Sequence, residues 1–217
     1  MANIMDFWRN EWKSVGNYSA VNSSDSLLSF DYNDIRDVLI VVSAKKIGKA
    51  KTWTYPYDDG NKYEIPTYEL SLIGTNNGLK VCRYYEILRF GVTRKTENSL
   101  PYVVGLADKQ RHTIKGWIPT YEVHSSESQE KGAWQVYGNF LIHDGPDDPL
   151  SDSYCYASIG CVEICGGPNG FNKFNDDIIL LSGIKDFSRE EQLKIIGKSG
   201  KLVIEYEKAE RPPLVKL

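Results

Sequence analysis

Residues 139–166, NFLIHDGPDDPLSDSYCYASIGCVEICG, gather the side chains of this chain best suited to chemistry. His143 ends an apolar run and enters a loop rich in Asp, Pro and Ser. Eighteen positions later comes Cys161, directly behind Ser158-Ile159-Gly160. A cysteine nucleophile needs a base within hydrogen-bond reach and donors aimed at the oxyanion that develops on its substrate. Cys161 as nucleophile and His143 as base meet the first need. Gly160 meets the second by letting a carbonyl approach the main-chain amides around Cys161. Asp144, next to the base, is placed to influence its pKa.

Other chemistries compete for the same residues. His143, Cys155, Cys161 and Cys165 are zinc-type ligands, but their spacing is not that of the short Cys-x2-Cys knuckles of structural sites, so no metal is expected. Asp144, Asp147, Asp148 and Asp152 lack the alternating pattern of a calcium loop and read as a solvated loop. Cys161 without its neighbours would read as a buried structural thiol. Cys155 and Cys165 read as passive thiols or as a disulfide in an oxidising compartment, and Cys82 as a core residue of a strand. His112 and His124 have no partner motif and read as surface or hairpin positions. Tyr55, Tyr57, Tyr63, Trp117 and Trp134 read as packing on strands, with a glycan-lining groove as the alternative.

The elements that must position this pair are mostly strands. Val, Ile, Tyr, Phe, Trp and Thr recur in runs at 38–43, 68–74, 79–83, 86–93, 101–106, 117–124 and 134–142, with turn residues between them. Thr75-Asn76-Asn77-Gly78 between two such runs predicts a hairpin. Helices are expected late: one over 171–181, capped by Asn175 or Asp176, and one opened by the capping box Ser188-Arg189-Glu190-Glu191 and ended near Gly197 or Gly200. Residues 201–206 predict a closing strand. The expected architecture is mainly β, a sandwich or barrel with one or two helices near the C-terminus. An N-terminal extension covers 1–36 and one domain covers 37–217.

Composition narrows the function classes. Of the 217 residues, 41% are hydrophobic and 25% charged, enough apolar material for a core, and the formal charge of −3 comes with no basic block. Nucleic acid is therefore not an expected partner. The longest apolar run, Val38 to Val42, is far shorter than the about 20 residues that cross a bilayer, so membrane insertion is not expected. Asp6, Arg9, Glu11 and Lys13 near the start do not form the basic patch and apolar stretch of a secretory signal.

The His143-Asp144-Gly145 and Ser158-Ile159-Gly160-Cys161-Val162 elements resemble those of L,D-transpeptidases of the YkuD type. Ile118-Pro119-Thr120-Tyr121-Glu122-Val123 sits where that family often has a Thr-Pro-x-Gly-x-Tyr/Phe strand, and the resemblance spans roughly 65–206. It implies a YkuD-like β-sandwich or barrel without cofactor, acting on peptidoglycan stem peptides by transpeptidation or L,D-carboxypeptidation through a Cys161 thioester. It also implies that Ser158 helps to orient His143, that Gly160 shapes the oxyanion site, and that Asp144, Gly145 and Glu163 lie on the substrate side. Two positions depart from the family: Glu163 where many relatives carry Arg, and Ile159 where many have a second His. Glu163 is expected to disfavour a free terminal carboxylate. A wall enzyme made in the cytoplasm without an export signal is expected to be an antibacterial effector of the type VI secretion kind, acting in the periplasm or wall of a target cell and matched by an immunity protein; the alternatives are a cytoplasmic enzyme that recycles muropeptides and a sequence without its native leader. The rivals are a catalytically silent peptidoglycan- or protein-binding module of the same fold, and a cysteine amide hydrolase acting on another peptide.

Overall fold

The computed structural model describes residues 32–123, 130–152 and 157–217. Residues Tyr32–Leu217 form one compact unit. His124 and Cys155 lie outside the described residues.

Two long strands form the spine. In β1 (Val38–Trp53) burial alternates through the first residues, as a half-buried strand requires. The strand then runs well past Ser43, where the apolar alternation stops. Two of its lysines are held by the neighbouring strand β2 (Lys62–Asn76): Lys45 by Glu69 at 2.9 Å and Lys49 by Glu64 at 2.8 Å. The β1–β2 register shifts between Val42 and Lys46 and again before Gly48. Opposite those shifts the buried set of β2 changes parity at Thr67–Tyr68. One hairpin thus serves two apolar clusters. Tyr68, Leu70 and Leu72 are fully buried beyond the shift. Tyr63, Ile65 and Ala50 pack with Leu88, Val92 and Cys165 before it.

The predicted turn lies at Asn77-Gly78, with φ of 49° and 76°, the two positive values that a tight hairpin turn needs. It leads into β3 (Leu79–Leu88). The run expected as one strand over 86–93 breaks after Leu88. Arg89 is fully buried, and its guanidinium donates to the carbonyls of Leu106, Ser43 and Glu207, which turns the chain out of the sheet. Beyond it, β4 (Gly91–Thr93) pairs with β5 (Tyr102–Val104) in a separate ribbon. Cys82 of β3 is half-buried and is not a core residue.

The remaining elements are β6 (Gln110–Thr113), β7 (Gly116–Ile118), β8 (Ala133–Tyr137), β9 (Phe140–Asp144), β10 (Val162–Ile164), α1 (Phe171–Ser182), α2 (Arg189–Lys198), β11 (Leu202–Tyr206) and β12 (Val215–Lys216). The large mixed sheet has ten strands in the order β6-β11-β1-β2-β3-β10-β9-β8-β7, with β12 added to β2. The pairs β1–β11 and β9–β10 are parallel. The two ends of this path are drawn together. Ile114 N donates to Leu202 O of β11 at 2.9 Å, Lys115 N donates to Gln135 O of β8 at 2.8 Å, and His112 stacks on Tyr137 at 4.8 Å. The run expected as one strand over 134–142 is a hairpin turning at Gly138 (φ 54°), and the expected strand over 117–124 shortens to Gly116–Ile118.

Both helices pack on the sheet. Neither Asn175 nor Asp176 caps α1; both lie inside it. The N-cap is Gly170, which has no side chain to offer, and the Glu130 carboxylate accepts from Asn172 N at 2.9 Å instead. Asn175 is buried and accepts from the Trp134 indole at 2.8 Å. The capping box at Ser188 and Glu191 opens α2, which ends at Lys198 with Gly200 in the left-handed conformation just beyond. Gly197 lies so near the Trp117 amide that a Cβ would sit 2.8 Å from its nitrogen. No helix among the described residues is long and apolar enough to cross a membrane.

Candidate active site

The site is built where β9 and β10 run side by side. They pair in parallel, Ile142 with Val162 and His143 with Glu163. Paired residues on neighbouring strands face the same side, and alternate residues share a face. His143 and Glu163 therefore point together, and Cys161, two residues before Glu163, joins them on that face. The crossover that parallel strands require returns the chain through Cys161 to the start of β10.

His143 is held at one nitrogen by main chain. Its Nδ1 lies 2.7 Å from the carbonyl oxygen of Asp144. A carbonyl can only accept, so Nδ1 carries the proton and Nε2 is the nitrogen able to take one. The Tyr121 ring packs against the imidazole with centroids 5.1 Å apart. The Glu163 carboxyl faces Nε2, with Oε1 at 4.0 Å.

Cys161 immediately precedes β10 and packs with Ala133 and Leu141, flanked by Ile118 and Tyr121. Only 4% of it is exposed. Burial pushes its thiol up to about 12, the Glu163 charge adds to this, and a backbone hydrogen bond from Leu141 opposes it. The resting sulfur is therefore a protonated thiol, which reacts as a nucleophile only as its proton is taken. The Tyr206 hydroxyl of β11 is raised by burial and then by the Cys161 charge.

Glycines set the loop before the nucleophile onto the β4–β5 ribbon. Gly160 has φ +95°, and a Cβ on it would lie 2.6 Å from Gly105 Cα. The space that the missing side chain leaves is thus occupied by neighbouring backbone. A Cβ on Gly91 would meet Ser158 O at 1.8 Å. Ser158 is fully buried; its Oγ accepts from Gly160 N at 3.3 Å and its hydroxyl is hydrogen-bonded to the Glu163 carboxyl.

The three residues expected on the substrate side are all buried. Gly145 donates to Ile164 O at 2.9 Å, and a Cβ there would approach Glu163 within 3.0 Å. Asp144 accepts from Glu130 N at 3.2 Å; burial first, then the Glu130 and Asp147 carboxylates, raise its carboxyl to about 7. Glu163 is 2% exposed and is raised to about 8, chiefly by burial, with Asp144 adding and Ser158 opposing. It faces the base from inside the fold rather than presenting a charge to solvent. Its Oε2 has no hydrogen-bond partner among the described residues.

Among the described residues no three His, Cys, Asp or Glu side chains group as metal ligands. Cys82, Cys161 and Cys165 are free thiols. Of the aromatics weighed for a glycan groove, Trp134 is fully buried, Trp117 lies 4.9 Å from it, and Tyr63 is buried with its hydroxyl on Asp59. All three are packing residues. A cavity of about 260 Å³ beside Cys165, Glu86 and Asp177, and one of about 660 Å³ beside Ile65, Leu150 and Pro212, have neither Cys161 nor His143 in their walls.

Sequence reasoning missed the Asp144 carbonyl, because a main-chain atom leaves no mark on residue type. No family model, no curated protein and no solved structure matches the chain.

Proposed function

We propose that this chain is a cysteine-dependent acyltransferase or hydrolase of the L,D-transpeptidase kind, with the corresponding YkuD-type fold, acting on peptidoglycan stem peptides. The observation that carries this reading is the parallel β9–β10 pair. It aligns His143 with Glu163, two residues after Cys161, and the imidazole is held at Nδ1 so that Nε2 is the basic nitrogen. As the Cys161 sulfur bonds to the amide carbon, its proton passes to Nε2 and the carbonyl π electrons move to oxygen. The tetrahedral intermediate then reforms the carbonyl, breaks the C–N bond and releases the amine with the Nε2 proton. The resulting thioester is resolved by an amine acceptor, which gives transfer, or by water, which gives carboxypeptidation. The oxyanion is assigned to main-chain amides of the segment around Cys161.

The deep burial of Cys161 favours a second reading, a catalytically silent module of the same fold that binds peptidoglycan or protein. Incubation with purified muropeptides, read by mass spectrometry, separates the two. The enzyme reading expects loss of a terminal residue or new cross-links with wild type. Both products should vanish with Cys161→Ala and with His143→Ala, because nucleophile and base act as a unit. Wild-type protein that leaves every muropeptide unchanged overturns the enzyme reading.

A further inference from the structure

We propose that Glu163 is the positioning residue of His143, facing Nε2 from the neighbouring strand and controlling how readily the imidazole accepts the Cys161 proton. This rests on the Cys–His assignment of the proposed function and adds a third side chain to it.

The geometry is specific. Glu163 and His143 are direct register partners, so the backbone pairing holds them opposite each other. Oε1 stands 4.0 Å from Nε2, beyond hydrogen-bond length but within the range where one charge strongly alters another. Both side chains are almost entirely buried, where a charge interacts far more strongly than in water. The orphaned Oε2 marks a carboxyl that its own surroundings do not fully satisfy.

Among the described residues, Ser158 bonds this carboxyl from the loop before β10, His143 faces it from β9, the Asp144 charge reaches it from the same strand, and Cys161 and Cys165 feel its charge from either side on its own segment. Asp144 in turn is raised by Glu130 and Asp147. Two proton acceptors, Nε2 and a carboxylate, repel across 4.0 Å in a dry site, so the pair favours holding one proton between them. When Glu163 holds it, His143 is a neutral base open to the thiol proton. When Glu163 is ionised, its charge retains a proton on Nε2, and the imidazole no longer serves as base for Cys161. Asp144's carbonyl fixes one nitrogen and Glu163 governs the other.

The test needs no peptidoglycan, so its outcome is separate from that of the enzyme reading. The His143 ring nitrogens are followed by NMR from pH 5 to 10 in wild type, Glu163→Gln and Glu163→Asp, with His143→Gln to assign the signals. In wild type Nε2 should stay protonated to higher pH than in Glu163→Gln, whose midpoint should fall by about one pH unit or more. Glu163→Asp, which keeps the acid on a shorter arm, should recover part of that shift. The pH profile of Cys161 alkylation by iodoacetamide, read site by site, should change with Glu163→Gln in step with the imidazole. A residue that only fills space would lower the melting temperature of Glu163→Gln and leave the midpoint where it was. An unchanged His143 midpoint in folded Glu163→Gln overturns the proposal, whatever the protein does to muropeptides. If Glu163→Gln does not fold, Glu163→Leu, which also removes the acid, takes its place, and a wild-type midpoint there overturns the proposal equally.

Discussion

At the scale of single residues, burial decides how the site behaves at rest. Cys161 is 4% exposed with its thiol pushed up to about 12, whereas Cys82 is half-buried on β3. In the free protein iodoacetamide should therefore modify Cys82 before Cys161, as peptide mass spectrometry of a short time course would show. A stem peptide that engages the site should raise the Cys161 rate in an enzyme and lower it in a silent binder. The buried acids also make a stability prediction. Asp144 and Glu163, raised to about 7 and about 8, keep their protons in the folded chain at pH values where the unfolded chain has lost them. Folding thus binds protons above the ordinary carboxylate range near about pH 4. Stability should fall as pH rises from there to about 8 and then level off. Each acid, raised by about three pH units or more, accounts for on the order of 4–5 kcal/mol of that fall. Thermal unfolding of wild type and Glu163→Gln across this range checks it: the variant should show a shallower slope, and equal slopes would remove Glu163 from the account.

At the scale of elements, the nucleophile is placed by a loop seated on a ribbon, and glycine makes the seat. Gly160→Ala would put a side chain at φ +95° and 2.6 Å from Gly105 Cα. The strain should cost about 1–3 kcal/mol, and relieving it must move Cys161 away from His143, so muropeptide turnover should fall steeply. Ser188→Ala provides the contrast. It removes a capping box on α2 worth about 1 kcal/mol while leaving the β9–β10 pair untouched. Its melting temperature should drop with little change in turnover per folded molecule. Comparable activity losses in the two variants would show that the loop seat is not what positions the sulfur.

At the scale of the whole molecule, the site lies on a curled mixed sheet whose ends are joined through Ile114 and Lys115. The proposed substrate places the site of action outside the cytoplasmic membrane, which defines a test in cells. The chain is expressed in a susceptible bacterium with and without an added export leader. Growth arrest or wall damage is expected only with the leader, and not with the exported Cys161→Ala variant. Equal harm from the unexported form, or none from either, would dismiss a wall-directed antibacterial role.

By itself the sequence determined what depends on local pattern. The β-rich runs, the Asn77-Gly78 hairpin, the Ser188–Glu191 capping box and the late pair of helices are legible because turn chemistry, caps and side-chain periodicity act over a few residues. His143 and Cys161 stood out for the same reason, as residue types at a spacing. Tertiary structure decided the rest through partners distant in the chain. β1 runs on past its apolar stretch because β2 supplies backbone bonds and acids for its lysines. The expected strand over 86–93 breaks because three carbonyls from elsewhere satisfy Arg89. Gly170 serves as a helix cap because Glu130 does the bonding from outside. Glu163, which reads in the sequence as a charge on the substrate side, is a buried acid facing the base, because parallel pairing with β9 and coverage of both faces of β10 remove it from water. Which neighbour a carboxyl meets, and how much water it keeps, is set by packing between segments that the sequence holds far apart.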